Sequence, residues 1–325
     1  MPRPPFLGER LRLLLKLLVS LTLLWLLIAQ VQSRDLAALI FAVSPNYMAA
    51  AFLATVIAWL INTYKWQQLL IVVGEKQPFA RLLSLNYVGI FYSLVLPGQV
   101  SGEVVKGFRL AGQGVSSAHT LVTIGLDRLT GVLALGIVGA AGLLLAPAVD
   151  GTGPLALLAV AAVALTTGVL WLVAGRSPLP VNRLLTVRSL RRFQGTFESL
   201  RAAVGAFQGT PGVFLAAQLQ AVLFQLLVTA SNYLAALAVG VDIPLIALTW
   251  IVALVSLVHM APISFGGLGV REGAYVFLLH QYGVPLANGL TLSLAVFALI
   301  FLQGVIGGII EFLIVRRGYM PPRVA

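Results

Sequence analysis

The sequence predicts an all-α fold, a polytopic integral membrane helical bundle, on three observations. Of 325 residues, 59% are hydrophobic and only 10% are charged, and the mean hydropathy is +0.99. A soluble domain carries about 25% charged residues, so this chain has too few to cover a water-facing surface. Its apolar residues also gather into runs near the roughly 20 residues that a helix needs to cross a bilayer. These runs lie at about 13–31, 46–64, 118–146, 155–174, 212–240, 244–261 and 287–315. Two shorter apolar pieces, about 82–97 and 268–282, border Gly/Pro-rich stretches that carry charge.

The same composition excludes several chemistries. There are ten acids, and no two are closer in sequence than Asp127 and Asp150, so there is no DxD, no local carboxylate pair and no acidic calcium loop. The absence of Cys removes disulfides, thiolate metal sites and a Cys nucleophile. His119, His259 and His280 are isolated and give no HExxH spacing. No metal and no cofactor are expected. The net charge of +11 reads as membrane topology and lipid contact rather than nucleic-acid binding.

The first run follows Arg and Lys as a signal peptide would, yet it lacks a small-x-small cleavage site and six more spans follow, so an uncleaved first helix is expected. Lys and Arg accumulate in cytoplasmic loops, which places Arg3, Arg10 and Arg12 inside. Loop 32–45 is then outside with Arg34 and Asp35, and loop 65–81 inside with Lys65, Lys76 and Arg81. If 82–97 crossed, the linker 175–211 would put Arg176, Arg183, Arg188, Arg191, Arg192 and Arg201 outside. A re-entrant or broken short helix near 82–97 keeps them inside. Parity then requires 262–285 to cross, because Arg316, Arg317 and Arg323 belong inside, giving about eight crossings. Residues 1–325 form one transmembrane domain, with both termini cytoplasmic, in a bacterial or archaeal cytoplasmic membrane.

Within the linker, Phe193, Phe197, Leu200, Val204 and Phe207 recur at helical spacing, with Arg191, Arg192 and Arg201 available to the other face. This is an amphipathic cytoplasmic helix, either drawn to anionic headgroups or packed on the bundle.

Charge at membrane depth costs about 3 kcal/mol or more, so it marks a partner and a purpose. Three stretches qualify. In the first, Pro97 ends a short helix, Gly98 and Gly102 permit broken backbone, and Glu103 and Lys106 stand one turn apart with Arg109 beyond them. In the second, Asp127–Arg128 lies within a long helix whose Thr120, Thr123, Asp127 and Thr130 form one polar stripe. The third runs from Pro262 through Gly266, Gly267 and Gly269 to Arg271 and Glu272. A glycine-rich turn opening a helix offers unpaired N–H groups and a positive dipole end, a natural anion site that Arg271 strengthens. It is neither a Walker loop nor GxGxxG. Each stretch also has a structural reading, in which the charges neutralise neighbours and the glycines allow close packing. The first and third share an outline, and interrupted helices at matching places in two halves point to a transporter site. Elsewhere, Gly304 and Gly308 form a small-residue packing face, His259 a satisfied bundle residue, and Glu311 is expected opposite Arg316 or Arg317.

Together, Pro97-Gly98-x-x-x-Gly102-Glu103-x-x-Lys106, Asp127-Arg128-Leu129-Thr130-Gly131 and Gly266-Gly267-Leu268-Gly269-Val270-Arg271-Glu272-Gly273 resemble the flippase-like family of the lysylphosphatidylglycerol synthase transmembrane region. The resemblance covers nearly the whole chain, and its third motif is the most specific. It implies a polytopic protein acting on lipids that cross the bilayer, with anionic phospholipid, hopanoid or lipid-linked sugar as candidate ligands. Some relatives carry a cytoplasmic aminoacyl-transferase domain. This sequence ends at Ala325, so it is expected not to make lysylphosphatidylglycerol itself. Lys106 stands where the resemblance implies Arg, which weakens bidentate phosphate binding there.

The leading expectation is therefore a lipid translocator, not an enzyme. Arg271 and the Gly266–Gly269 turn would hold a phosphate, Glu103 and Asp127 would balance cationic or proton charge, and Lys106, Arg109 and Arg128 would guide anionic headgroups. No nucleotide motif is present, so movement would follow a gradient or couple to ions. Two alternatives stay open: a polyprenyl-phosphate-dependent glycosyltransferase with Asp35 or Glu103 as base, and an accessory subunit of a lipid-modifying enzyme. A homo-oligomer is compatible with all three.

Overall fold

The computed structural model describes residues 38–96, 101–146, 210–260 and 269–316, with Thr22, Trp25 and Ala164 besides. The spans expected at 13–31 and 155–174, and the linker up to residue 209, lie outside the described residues. So do Asp35, Pro97, Gly98, Pro262, Gly266 and Gly267.

Eight helices follow in order among the described residues: α1 (Pro45–Val72), α2 (Phe79–Val95), α3 (Ser101–Ala111), α4 (Ser117–Leu145), α5 (Pro211–Ala238), α6 (Leu245–Met260), α7 (Val270–His280) and α8 (Leu286–Arg316). Of these, α1, α4, α5 and α8 are long and apolar enough to cross a membrane. Proline starts α1 and α5, where its missing N–H costs nothing. Outward-facing Leu53, Ile57, Phe301 and Phe312 are exposed, as befits helices solvated by lipid.

The described helices form two copies of one four-helix unit. Helices α1 to α4 have 28, 17, 11 and 29 residues, and α5 to α8 have 28, 16, 11 and 31. Superposing helix starts matches Trp66 with Asn232, Glu103 with Glu272, Lys106 with Tyr275, Gly107 with Val276, Thr120 with Gly289 and Arg128 with Phe297. Contacts obey the same correspondence. The Lys106 ammonium lies 4.2 Å from the Trp66 ring centre, and at the matching place the Tyr275 hydroxyl donates to Asn232 Oδ1. A Cβ on Gly107 would lie 3.6 Å from Thr120, and one on Gly289 would lie 3.4 Å from Val276.

The copies are inverted. Helices α1 and α5 run antiparallel: Ser44 N–H donates to the Ala238 carbonyl, Ser231 to that of Ala51, Trp59 packs edge-on against Phe224, and Gln220 bonds Gln68. Face A of the molecule thus holds the start of α1 and the end of α5. Face B holds Val72, the start of α4 and the end of α8.

Within each unit the two short helices make a hairpin. Helix α3 runs back along α2: Ser101 Oγ donates to the Tyr92 carbonyl, a Cβ on Gly89 would lie 3.3 Å from the Gly102 carbonyl, and Lys106 Nζ donates to Asn86 Oδ1 at 3.2 Å. The chain therefore leaves face B and returns to it, as the charge argument for 82–97 expects. Helix α7 runs back along α6 in the same way, Trp250 Nε1 donating to the Tyr282 hydroxyl at 3.0 Å. Here the structure differs from the crossing expected over 262–285. Helices α6 and α7 are about 24 and 16 Å long at 1.5 Å per residue, short of a roughly 30 Å hydrocarbon core. They descend from face A and turn back, so 244–261 and 262–285 drop out together as full crossings and the end of α8 still lies at face B. Both hairpins stop near the middle of α8, where Leu94 faces Gly304 and Arg271 lies over Phe297.

Small residues lock each hairpin to the long helix of the other unit. Without a hydrophobic drive in lipid, helices associate through close van der Waals packing. A Cβ on Gly142 would come within 2.9 Å of Trp250 N, and one on Gly139 within 2.9 Å of Ala253 Cβ. In the mirror contact, Gly304 and Gly308 meet Leu94 and Phe91 as the sequence suggests, and Gly307 joins them against the Tyr87 carbonyl.

Candidate functional site

The charges expected at depth divide into two groups, one in each unit. In the first unit, the return helix α3 presents Glu103 and Lys106 one turn apart, and they pair at 2.7 Å. Glu103 also accepts from Arg128 Nη2 at 2.6 Å, so its carboxylate bridges α3 and α4. Lys106 is only 1% exposed. Its ammonium is completed by the Trp66 ring and by Asn86, whose Nδ2 donates on to Thr63. Sequence neighbours Asp127 and Arg128 point to different partners, because adjacent helical residues diverge by about 100°.

Asp127 pairs with Lys65 Nζ at 3.1 Å, and Lys65 also donates to the Asp127 carbonyl and to Thr130 Oγ1, each at 3.3 Å. Lys65 is expected in a cytoplasmic loop, whereas α1 continues to Val72 and holds it at 2% exposure. The polar stripe on α4 is as expected, with Thr120, Thr123, Asp127 and Thr130 all buried.

Lys65, Asp127, Glu103 and Arg128 line a cavity of about 140 Å³, together with Trp59, Asn62, Phe224, Gln225 and Met260. It lies at mid-depth, since its walls come from the middle of α1, α4 and α5 and from the tips of both hairpins. Gln225 is buried there, and its Nε2 has no hydrogen-bond partner among the described residues. Arg128 keeps its side chain 46% exposed, so its guanidinium retains donors for a ligand. Counting the cavity cluster, Lys65, Lys106 and Arg128 exceed Asp127 and Glu103 by one positive charge.

The second unit is arranged differently. Arg271 pairs with its neighbour Glu272 and lies over the Phe297 ring, and the two ionic side chains are 3% and 0% exposed. The Gly269 amide donates to Glu272 Oε2 at 2.6 Å. Gly269 adopts φ +82, a left-handed conformation that glycine takes without strain. Glu272 thus occupies the positive helix end where a phosphate is expected, and Arg271 does not line the cavity. Arg271 Nε has no hydrogen-bond partner among the described residues.

Arg109, expected as a basic edge, instead forms an ion pair with Glu311 across to α8, and Tyr92 donates to the same carboxylate at 3.0 Å. Glu311 therefore faces α2 and α3, not Arg316. The pair ties the first hairpin to the end of the last helix. No group of three His, Asp or Glu side chains able to hold a metal occurs among the described residues.

Residues 13–308 match the family described as the lysylphosphatidylglycerol synthase TM region. The chain belongs to that family. It also resembles a UPF0104 membrane protein of Methanothermobacter thermautotrophicus, at 31% identity over 67 residues. That match covers 21% of this chain and 19% of the relative's length. Family membership agrees with the multi-pass helical architecture. In this family member, the buried charge of the first unit surrounds a cavity and that of the second closes on itself.

Proposed function

We propose that this protein moves a polar-headed lipid across the membrane, the headgroup passing through the charged cavity while the acyl chains stay in lipid. One observation carries the reading: a charged cavity at mid-depth, where two hairpins from opposite faces meet within an inverted repeat. Transporters place their substrate sites at such a meeting of broken helices. Broken backbone at this depth is stable only where protein or a watery cavity covers it.

The single positive excess of the cluster suits a monoanionic headgroup, such as a phosphodiester. Arg128 offers its remaining donors to the phosphate, with Lys65 and Gln225 deeper in the cavity. Arg109 and the Arg271–Glu272 pair hold the two hairpins in place. The carboxylates of Glu103 and Asp127 are both held by cations, an arrangement suited to balancing charge rather than to general-base chemistry, so we assign no catalytic reaction. Face B is cytoplasmic: Lys76, Arg81 and Arg316 belong to it, and Asp242 belongs to face A. A gradient or coupled ions supply the driving force. The family description favours one further reading, an accessory to a lipid-modifying enzyme.

Reconstitution tests both. The purified chain in liposomes with headgroup-labelled phosphatidylglycerol should expose more than the outer-leaflet label to a membrane-impermeant quencher, and Arg128→Gln should remove that excess. Quenching limited to the outer leaflet, also in native lipid extracts, would favour the accessory role.

A further inference from the structure

Beside the charged cavity lies a second space that it does not explain. A groove of about 440 Å³ runs along the seam of α3 and α4, lined by Glu103, Val104, Gly107, Phe108, Leu121 and Ile124 among others. That volume falls within the roughly 300–1,000 Å³ of ligand pockets. Its rim is lipid-facing and apolar, with Val104, Phe108 and Leu121 exposed. Its inner end is Glu103, which also lines the charged cavity, and its outer end is Ala111 and Ser117, at face B.

The other unit shows that the opening is not imposed by the fold. Leu121 is 59% exposed, whereas Leu290 at the matching place is 0% exposed. The glycine has also changed sides of the seam: Gly107 stands on the return helix of the first unit, with Ile124 and Thr120 against it, and Gly289 on the long helix of the second, with Val276 against it.

We infer that this groove holds one acyl chain of the lipid whose headgroup sits in the charged cavity, with the chain running from Glu103 toward face B. The inference rests on the proposed headgroup role of the cavity. The occupant follows from continuity and charge: one wall residue joins a cationic polar chamber to an apolar trough open to lipid, so an anionic amphiphile fits across the join. The polarity is unusual. A lipid lying in the face B leaflet has its headgroup at that face and its chains pointing to mid-depth. The groove places the headgroup at mid-depth and the chain end at face B, the posture of a lipid of the opposite leaflet whose headgroup has descended.

Two phosphatidylglycerol probes test this, one with a diazirine near the acyl carboxyl and one with it at the chain terminus. Each is incorporated into vesicles with the full-length protein and photolysed, and the labelled positions are mapped. The near-carboxyl probe should label around Glu103 and Ile124, and the terminal probe around Ala111 and Ser117. Arg128→Gln should cause loss of both signals. The reverse order, or labelling of the seam no stronger than that of the outer face of α1, would overturn the inference. Translocation in the liposome assay with the reverse order would leave the function standing without the groove. The expected order without translocation would keep the groove as a lipid seat and remove the translocator.

Discussion

Helices α1–α4 and α5–α8 share lengths, connectivity and a hairpin that stops at mid-depth, yet they use buried charge in opposite ways. In the first unit, Asp127 pairs with Lys65 of α1, and Glu103 bridges from Lys106 on its own helix to Arg128 of α4, and these carboxylates border a cavity. In the second, Glu272 pairs with its own neighbour and caps its own helix, while Val296 and Phe297 stand where the first unit has Asp127 and Arg128. The scaffold alone therefore does not make a site. What makes it is charge that must reach between helices, which leaves space that self-contained pairing does not.

Breaking that contrast should be costly first in stability. Lys65→Met strands the buried Asp127 carboxylate, and Arg271→Ala strands Glu272. Removing one partner of a buried pair costs about 3–5 kcal/mol, so both variants should unfold well below the parent temperature in detergent. The second substitutions separate the two units. Lys65→Met with Asp127→Leu should regain stability without transport, and Arg271→Met with Glu272→Gln should regain both.

The hairpin contact comes next. Gly102→Ala drives a methyl toward the Gly89 carbonyl and Ser93 Oγ, and overpacking of this kind costs about 1–3 kcal/mol. Thermal unfolding should show that loss, while Gly273→Ala in the other return helix, where a Cβ meets nothing within 4 Å, should be neutral. A small effect on stability is expected at Arg128. Its side chain is half exposed, and such ion pairs contribute about 0–1 kcal/mol. Arg128→Gln should therefore fold like the parent and lose translocation of anionic lipid. Arg128→Lys should recover only part of it, because an ammonium lacks the planar fork.

Much of this contrast is legible in the sequence. The i, i+3 spacing of Glu103 and Lys106 gives their pairing, the stripe through Asp127 gives the buried face of α4, and the matching outlines of the two Gly/Pro stretches hint at the repeat. The inversion is not legible there, because parity takes 262–285 as a crossing where the structure has a second hairpin. Lys65 escapes because the apolar run stops at Tyr64 and a lone cation beyond it looks like a loop residue. The signal against that is the helical continuation through Trp66, Leu69 and Leu70, with no glycine before Gly74. Arg271 looks like a phosphate ligand for the complementary reason. A glycine-rich turn reads as an anion site unless an acid three residues into the helix caps it, as Glu272 does for Gly269. Glu311 finds Arg109 through tertiary packing that local spacing does not encode.

The comparison reduces to one experiment. Two variants of equal thermal stability, Arg128→Gln and the double variant Arg271→Met with Glu272→Gln, are reconstituted at equal density and assayed for phosphatidylglycerol translocation. Loss in the first with retention in the second is the expected result, and places the headgroup in the first unit's cavity. Retention in the first with loss in the second would return the site to the glycine-rich turn and contradict the assignment.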